Sequence, residues 1–359
     1  MLSHASPSGP SPSSPSPPGP DTAASEEATP PRPPRATPVV PRPLRRIVIP
    51  LLRQDTAQVD FGVRRFRLRP GPARDILQAA GQAFLAGFHA ALDARTLAGL
   101  AADVERLPPE RRGFAYEGAG MACSVLDLLT GARGRRFAAL VSGPAARYPH
   151  LVHVGAGWAY ARLGLRPRGG LPAAHPPEQW LAWDGYGFHQ GFFHPDRVIG
   201  RQQVERGLTA DERAIRDQGL GRALWFHECA DPEGLVPRVA EFPPDRRGDL
   251  WSGAGLAATY AGGATPAELH RLAEAAGAHR ADLAQGSAFA CAAHHVSGLV
   301  PEHTREAARV LTGTTVEEAA DWTDRSRAAL GPAATGTGHY QLWRAGIRDL
   351  YLRSRRGDH

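Results

Sequence analysis

The sequence predicts an all-α fold: an array of about seven helical hairpins, an αα-repeat curved into a solenoid or toroid, behind a disordered proline-rich tail. Three observations carry this. A small-residue signature, Gly-x-(Gly/Ala)-x-(Ala), begins at Gly81, Gly118, Gly155, Gly185, Gly219, Gly253 and Gly286, in steps of 37, 37, 30, 34, 34 and 33 residues. A period near 34 residues is the size of one helical hairpin in a stacked array. One phrase also occurs twice, as LPPERRGFAYEGAG at 107–120 and FPPDRRGDLWSGAG at 242–255, with eight of fourteen positions identical. Finally, from about residue 72 the chain is Ala/Leu-rich with Gly and Pro as punctuation, the pattern of helices separated by short breaks.

Taken in order, residues 1–43 are Pro/Ser/Ala-rich with almost no large apolar side chain. Such a segment cannot bury enough surface to offset its ordering entropy and is expected to be disordered. Residues 44–352 are expected to form a single α-helical domain. Within it, RRIVIPLL and VDFGVRRFRLRP carry β-branched residues with some alternation, so one short strand or hairpin is expected at 45–70. Across the array, the position two after the signature Gly is Gly or Ala, and the position four after is Ala in five of seven units. Glycine costs about 1 kcal/mol in a helix interior relative to alanine. Its recurrence points to backbones in close approach, or else to loop punctuation ahead of each helix. Gly81 aligns with Gly219, Gly118 with Gly253, Phe88-His89 with Phe226-His227 and, loosely, Gly155 with Gly286. Three units thus repeat as three, leaving the unit at Gly185 in the middle.

Composition removes several function classes. The formal charge is +6, and no lysine occurs anywhere, so Schiff-base, pyridoxal-phosphate and phosphate-loop lysines are excluded. The arginines are scattered and carry no nucleic-acid-binding motif, so no nucleic-acid partner is expected. No run of about 18 apolar residues suggests a membrane span, and the N-terminus has no secretory pattern. Three distant cysteines argue against a disulfide framework, so a cytoplasmic location is expected. GLGRAL lacks the strand and third glycine of a dinucleotide loop, and no Gly-x-Ser-x-Gly elbow occurs. No cofactor and no metal are expected. His189 and His194 diverge on a helix, the i, i+4 pair His227/Asp231 runs into Pro232, and His294 and His295 are adjacent.

Chemistry concentrates in the middle unit, WLAWDGYGFHQGFFHPDR at 180–197. His189 stands where five sister units place Ala. The residues before the signature glycines are Ala80, Glu117, Val154, Asp184, Gln218, Ser252 and Gln285, five of them polar on one equivalent row. Such a row commonly faces the concave side of an array. Asp184 and Glu117 would then be carboxylates walled by Trp158, Trp183, Tyr186, Phe188, Phe192, Phe193 and Trp251. Poor solvation raises a carboxyl pKa and makes it a general acid near neutral pH. His189 or His194 would be the proton partner. As a plain structural residue, Asp184 would cap a helix opening at GYGF. Asp217 and Arg222 read as a local ion pair.

The phrases GFAYEGAGMA, VHVGAGWAYARLG, DGYGFHQGFFHP, DQGLGRALWF and RRGDLWSGAGLAATYAGG resemble a bacterial family of unknown biochemical function found beside enediyne polyketide synthases. The resemblance covers residues 44–350. It implies a cytoplasmic accessory protein acting on a linear polyene or similar apolar substrate, with a polyketide synthase or other pathway protein as partner. It supplies no catalytic residue. On the residues themselves, Asp184 as general acid with His189 favours an enzyme. Two other readings stay open: an isoprenoid cyclase started by protonation, with aromatic rings stabilising the carbocation, and a non-catalytic scaffold for a carrier-bound intermediate or partner protein.

Overall fold

Stretches rich in alanine and leucine fold into helices wherever proline and glycine leave them uninterrupted, and no strand occurs among the described residues. The computed structural model describes residues 49–169, 171 and 176–357, all within one compact unit. The tail at 1–43 lies outside them. In chain order the helices are α1 (Ala73–Asp93), α2 (Leu97–Glu105), α3 (Arg112–Thr130), α4 (Arg135–Val141), α5 (Pro149–Arg162), α6 (Leu181–Phe193), α7 (Ala210–His227), α8 (Pro232–Ala240), α9 (Pro244–Tyr260), α10 (Pro266–Ala275), α11 (Arg280–Ser297), α12 (Glu302–Leu311), α13 (Val316–Leu330) and α14 (Thr337–Gly357). Their starts are written locally. Pro149, Pro232, Pro244 and Pro266 open helices, where a missing N–H costs nothing. Thr209 and Thr265 form reciprocal caps with Glu212 and Glu268.

Seven helices (α1, α3, α5, α6, α7, α9 and α11) stand side by side, each packed on the next. The glycines lie inside these helices and form the seams, so the loop-punctuation reading is set aside. A methyl group on Gly219 would meet the Asp184 carbonyl oxygen at 1.8 Å, and one on Gly286 would meet that of Ser252 at 1.7 Å. The same relation holds at Gly118, Gly155, Gly185 and Gly253, each against the neighbouring helix backbone. The second glycine of each signature makes the reverse contact, Gly187 against Arg216 and Gly255 against Leu283. At these separations nothing larger than hydrogen fits. Gly286→Ala is therefore expected to cost about 2 kcal/mol despite alanine's better helix propensity. On exposed α2, a methyl on Gly99 would meet only Thr96 Oγ1 at 3.5 Å, so Gly99→Ala should gain roughly 0.5 kcal/mol. Urea unfolding of the two variants checks the opposite signs.

Three expectations are corrected. First, Gly81 is not the signature residue of α1. The seam contact to Gly118 comes from Phe84, and Gly87 packs on Ala115. Leu85 thus holds the first signature place and Gly87 the second, four residues on from the expected register. Residues i and i+4 share a helix face, so a slip of one turn preserves the small-residue look. In the corrected register Phe84 replaces Ala80 in the row before the signature, His89 holds in α1 the position that His189 holds in α6, and Phe88-His89 no longer matches Phe226-His227. Second, the array is not seven complete hairpins. A helix returns after α1, α3, α7, α9 and α11, but no α-helix occurs among the described residues between α5 and α6, and only a π-helical turn, Asp196–Gly200, follows α6. Third, residues 49–70 form short helical turns, not the expected strand. Asp55 and Asp60 close those turns by accepting hydrogen bonds from the Ala57 and Val63 amides, while Val59, Phe61 and Phe66 are buried.

Candidate functional site

Because the seven helices share one register, side chains one turn apart project into the same interior. The row before the signature reads Phe84, Glu117, Val154, Asp184, Gln218, Ser252 and Gln285, and the row three after it reads Phe88, Met121, Trp158, Phe188, Arg222, Leu256 and Phe289. In the first row Asp184, Gln218, Ser252 and Gln285 form a continuous polar chain. Asp184 Oδ1 accepts from Arg222, and its Oδ2 accepts from Gln218 Nε2 at 2.8 Å. Ser252 Oγ donates to Gln285 Oε1 at 2.8 Å, which also accepts from Arg344 Nε at 3.0 Å. Glu117 Oε1 accepts from Trp158 Nε1 at 3.1 Å, with Arg222 Nη2 at 3.9 Å. Helices that are not neighbours thus meet across the interior, and α14 contributes Tyr340 and Arg344 to it.

Arg222 lines two apolar cavities. The first has about 40 Å³ of free volume, with Phe84, Phe114, Glu117, Trp158, Phe188 and Phe226 in its wall. The second likewise has about 40 Å³, with His150, Asp184, Tyr260, Phe289 and Trp343 in its wall. Each has room for a few water molecules, so a longer ligand enters only where the aromatic side chains move aside. The Arg222 guanidinium also lies 4.8 Å over the Phe188 ring. Glu117 is 3 % exposed. Burial pushes its pKa up to about 7, Arg222 works in the opposite direction, and the Asp184 charge adds to the rise. Burial also raises the Tyr260 and Tyr340 hydroxyls and pushes the His150 imidazole down to about 4.

The expected site residues therefore divide. Glu117 and Asp184 share Arg222, but Asp184 and His189 do not meet. Asp184 lines the second cavity, whereas His189 lines a separate surface pocket together with exposed His194. Five residues apart on one helix, they point about 140° from each other. Both Asp184 oxygens are already committed to donors, and it makes no cap bond, since α6 begins at Leu181. Trp158, Phe188, Phe192 and Phe193 line the first cavity. Trp183, Tyr186 and Trp251 are buried but line none of these pockets. Arg222 does not pair with Asp217, which bonds Arg216 and Arg246 instead; a spacing of five places the two on different faces. His227 ends α7 and Asp231 caps α8, so their i, i+4 spacing spans a break. No group of three or more His, Cys, Asp or Glu is placed to hold a metal among the described residues.

Arg222, Phe84, Phe114 and Phe226 line the first cavity, a role the sequence motifs do not assign to them. A signal for Arg222 is nonetheless present: it is the one cation in an otherwise apolar row of seven.

Fold and site define an all-helical protein with a buried, partly ion-paired acid between two aromatic cavities. The chain belongs to the DUF1702 family, described as a protein of unknown function, which it matches over residues 42–351. No curated protein and no solved structure matches it. No helix among the described residues is long and apolar enough to cross a membrane.

Proposed function

We propose that the protein is an enzyme that acts on a linear polyene or similar apolar chain held in the first cavity, with Glu117 as general acid. The observation that supports this is a buried carboxyl group, raised to about 7, facing a wall of aromatic rings. A group with that pKa is protonated in part at neutral pH and transfers its proton readily. The Glu117 proton passes to a terminal alkene carbon, leaving a delocalised carbocation beside the aromatic faces. The carboxylate left behind faces the Arg222 guanidinium, and it takes a proton back from a neighbouring carbon. The net change is a redox-neutral isomerisation. Asp184 holds Arg222 in place. A role as an accessory protein of an enediyne-type pathway, with pathway proteins as partners, rests on the resemblance of the sequence motifs. The same acid and rings would also serve an isoprenoid cyclase.

Incubation with a linear conjugated polyene in D2O tests the acid. Wild type should introduce deuterium into the polyene, and Glu117→Gln should slow this by about 100-fold or more. Equal exchange by Glu117→Gln removes the assignment. Binding without any exchange by wild type identifies a scaffold.

A further inference from the structure

Beside the aromatic cavity lies a polar pocket of about 370 Å³. Gln54 and Phe193 line both. His189, which lines the polar pocket, sets its ring edge-on to Trp158 of the cavity at 5.5 Å and against Phe193 at 4.8 Å. The two spaces therefore share a wall, and the polar pocket lies where a vestibule to the cavity would be.

Its chemistry is cationic. Arg53, Arg162 and His194 line it with His189, against a single lining carboxylate, Asp55. Asp55 already accepts from the Ala57 amide, and Arg53 is paired with Asp93. Two further guanidinium groups border it. Arg64 lies 5.1 Å over the Phe193 ring and donates to Gln58, and Arg197 is shared between Gln190 and Glu205. Arg162 has no hydrogen-bond or ion-pair acceptor among the described residues. His189 is only 6 % exposed, and its Nδ1 has no hydrogen-bond partner. A buried polar atom without a partner costs about 1–3 kcal/mol, which a ligand atom would recover. Burial first, then the positive charges of His194, Arg162 and Arg197, drive the His189 pKa down to about 3. The ring is thus neutral and sits in a positive potential.

We propose that this vestibule binds the anionic head group, a carboxylate or a phosphate, of an amphiphile whose apolar chain enters the aromatic cavity. Arg162 supplies the charge, His194 adds a hydrogen bond and His189 donates through Nδ1–H. This rests on the cavity reading above and narrows its substrate class: a polyene with a charged end is preferred to a neutral hydrocarbon.

Cis-parinaric acid, a conjugated tetraene carboxylate that fluoresces in apolar surroundings, tests this against its uncharged methyl ester. The acid is expected to bind at least about tenfold more tightly than the ester, the worth of one charge-assisted hydrogen bond. Arg162→Gln should weaken the acid about tenfold and leave the ester unchanged, with His194→Gln acting the same way more weakly. Both side chains lie at the surface, so circular dichroism should show an unaltered fold. Dodecyl phosphate displacing the probe far better than dodecanol extends the head group to phosphate; displacement by the carboxylate dodecanoate alone restricts it to carboxylates. Equal binding of acid and ester overturns the vestibule while leaving the cavity reading intact. Failure of both to bind overturns the two together. Inorganic phosphate competing as well as dodecyl phosphate also overturns it, because head and chain would then not share one site.

Discussion

Arg222→Met is expected to destabilise the protein by about 3–5 kcal/mol, the cost of leaving a buried charge without its partner. Asp184 is fully buried and Glu117 nearly so, and Arg222 is the cation both face. Methionine fills much of the same volume, so a packing defect contributes little to the loss. The companion variant separates charge from shape. In Arg222→Met with Asp184→Asn, the remaining amide still accepts from Gln218, and the one carboxyl left without Arg222 is Glu117, which burial already raises to about 7 and which can stay protonated. Replacing both members of a buried pair is often close to neutral, so most of the lost stability should return. Urea unfolding followed by circular dichroism reads both variants. A single substitution costing less than about 1 kcal/mol would show that the trio is solvated and that Arg222 does not organise the interior.

That centre is only partly legible in the sequence, for a physical reason. Glycine at a helix seam is a strong signal because no other residue allows one backbone to reach the carbonyl of the next. The recurring glycines therefore disclose the inner helices and, with them, the row carrying Glu117 and Asp184. The same signal fails by one turn at Gly81, where packing against Val59, not against a neighbouring array helix, demands a small residue. Pairing across the interior leaves no trace in local spacing. Arg222 looks like a partner for Asp217, five residues away, yet it reaches carboxylates 38 and 105 positions distant on other helices. The aromatic run at 180–197 reads as one wall, although a helix distributes it: Phe188, Phe192 and Phe193 go to the cavity, Trp183 and Tyr186 to the core.

Glu117 should make stability depend on pH in a direction opposite to that of an ordinary ion-paired carboxylate. Its pKa rises from the usual 4.5 to about 7 on folding, with burial as the main cause. Between those values the folded chain binds more protons than the unfolded one, so stability falls as pH rises. The contribution is fully present below about 4.5 and is lost as pH passes through about 7. It amounts to roughly 3 kcal/mol at most, since each tenfold change in proton affinity is worth about 1.36 kcal/mol. Other carboxylates impose their own slopes, so the informative quantity is the difference between wild type and Glu117→Gln, whose side chain cannot titrate. Urea unfolding at about pH 5 and about pH 8 should show wild type losing stability relative to the variant as pH rises. A constant difference across that range would mean that Glu117 is ionised throughout and serves only as a second counter-ion for Arg222. The proton that folding takes up on Glu117 is the proton offered to the substrate, so the acid role would fall with it, whatever the shape of the cavity.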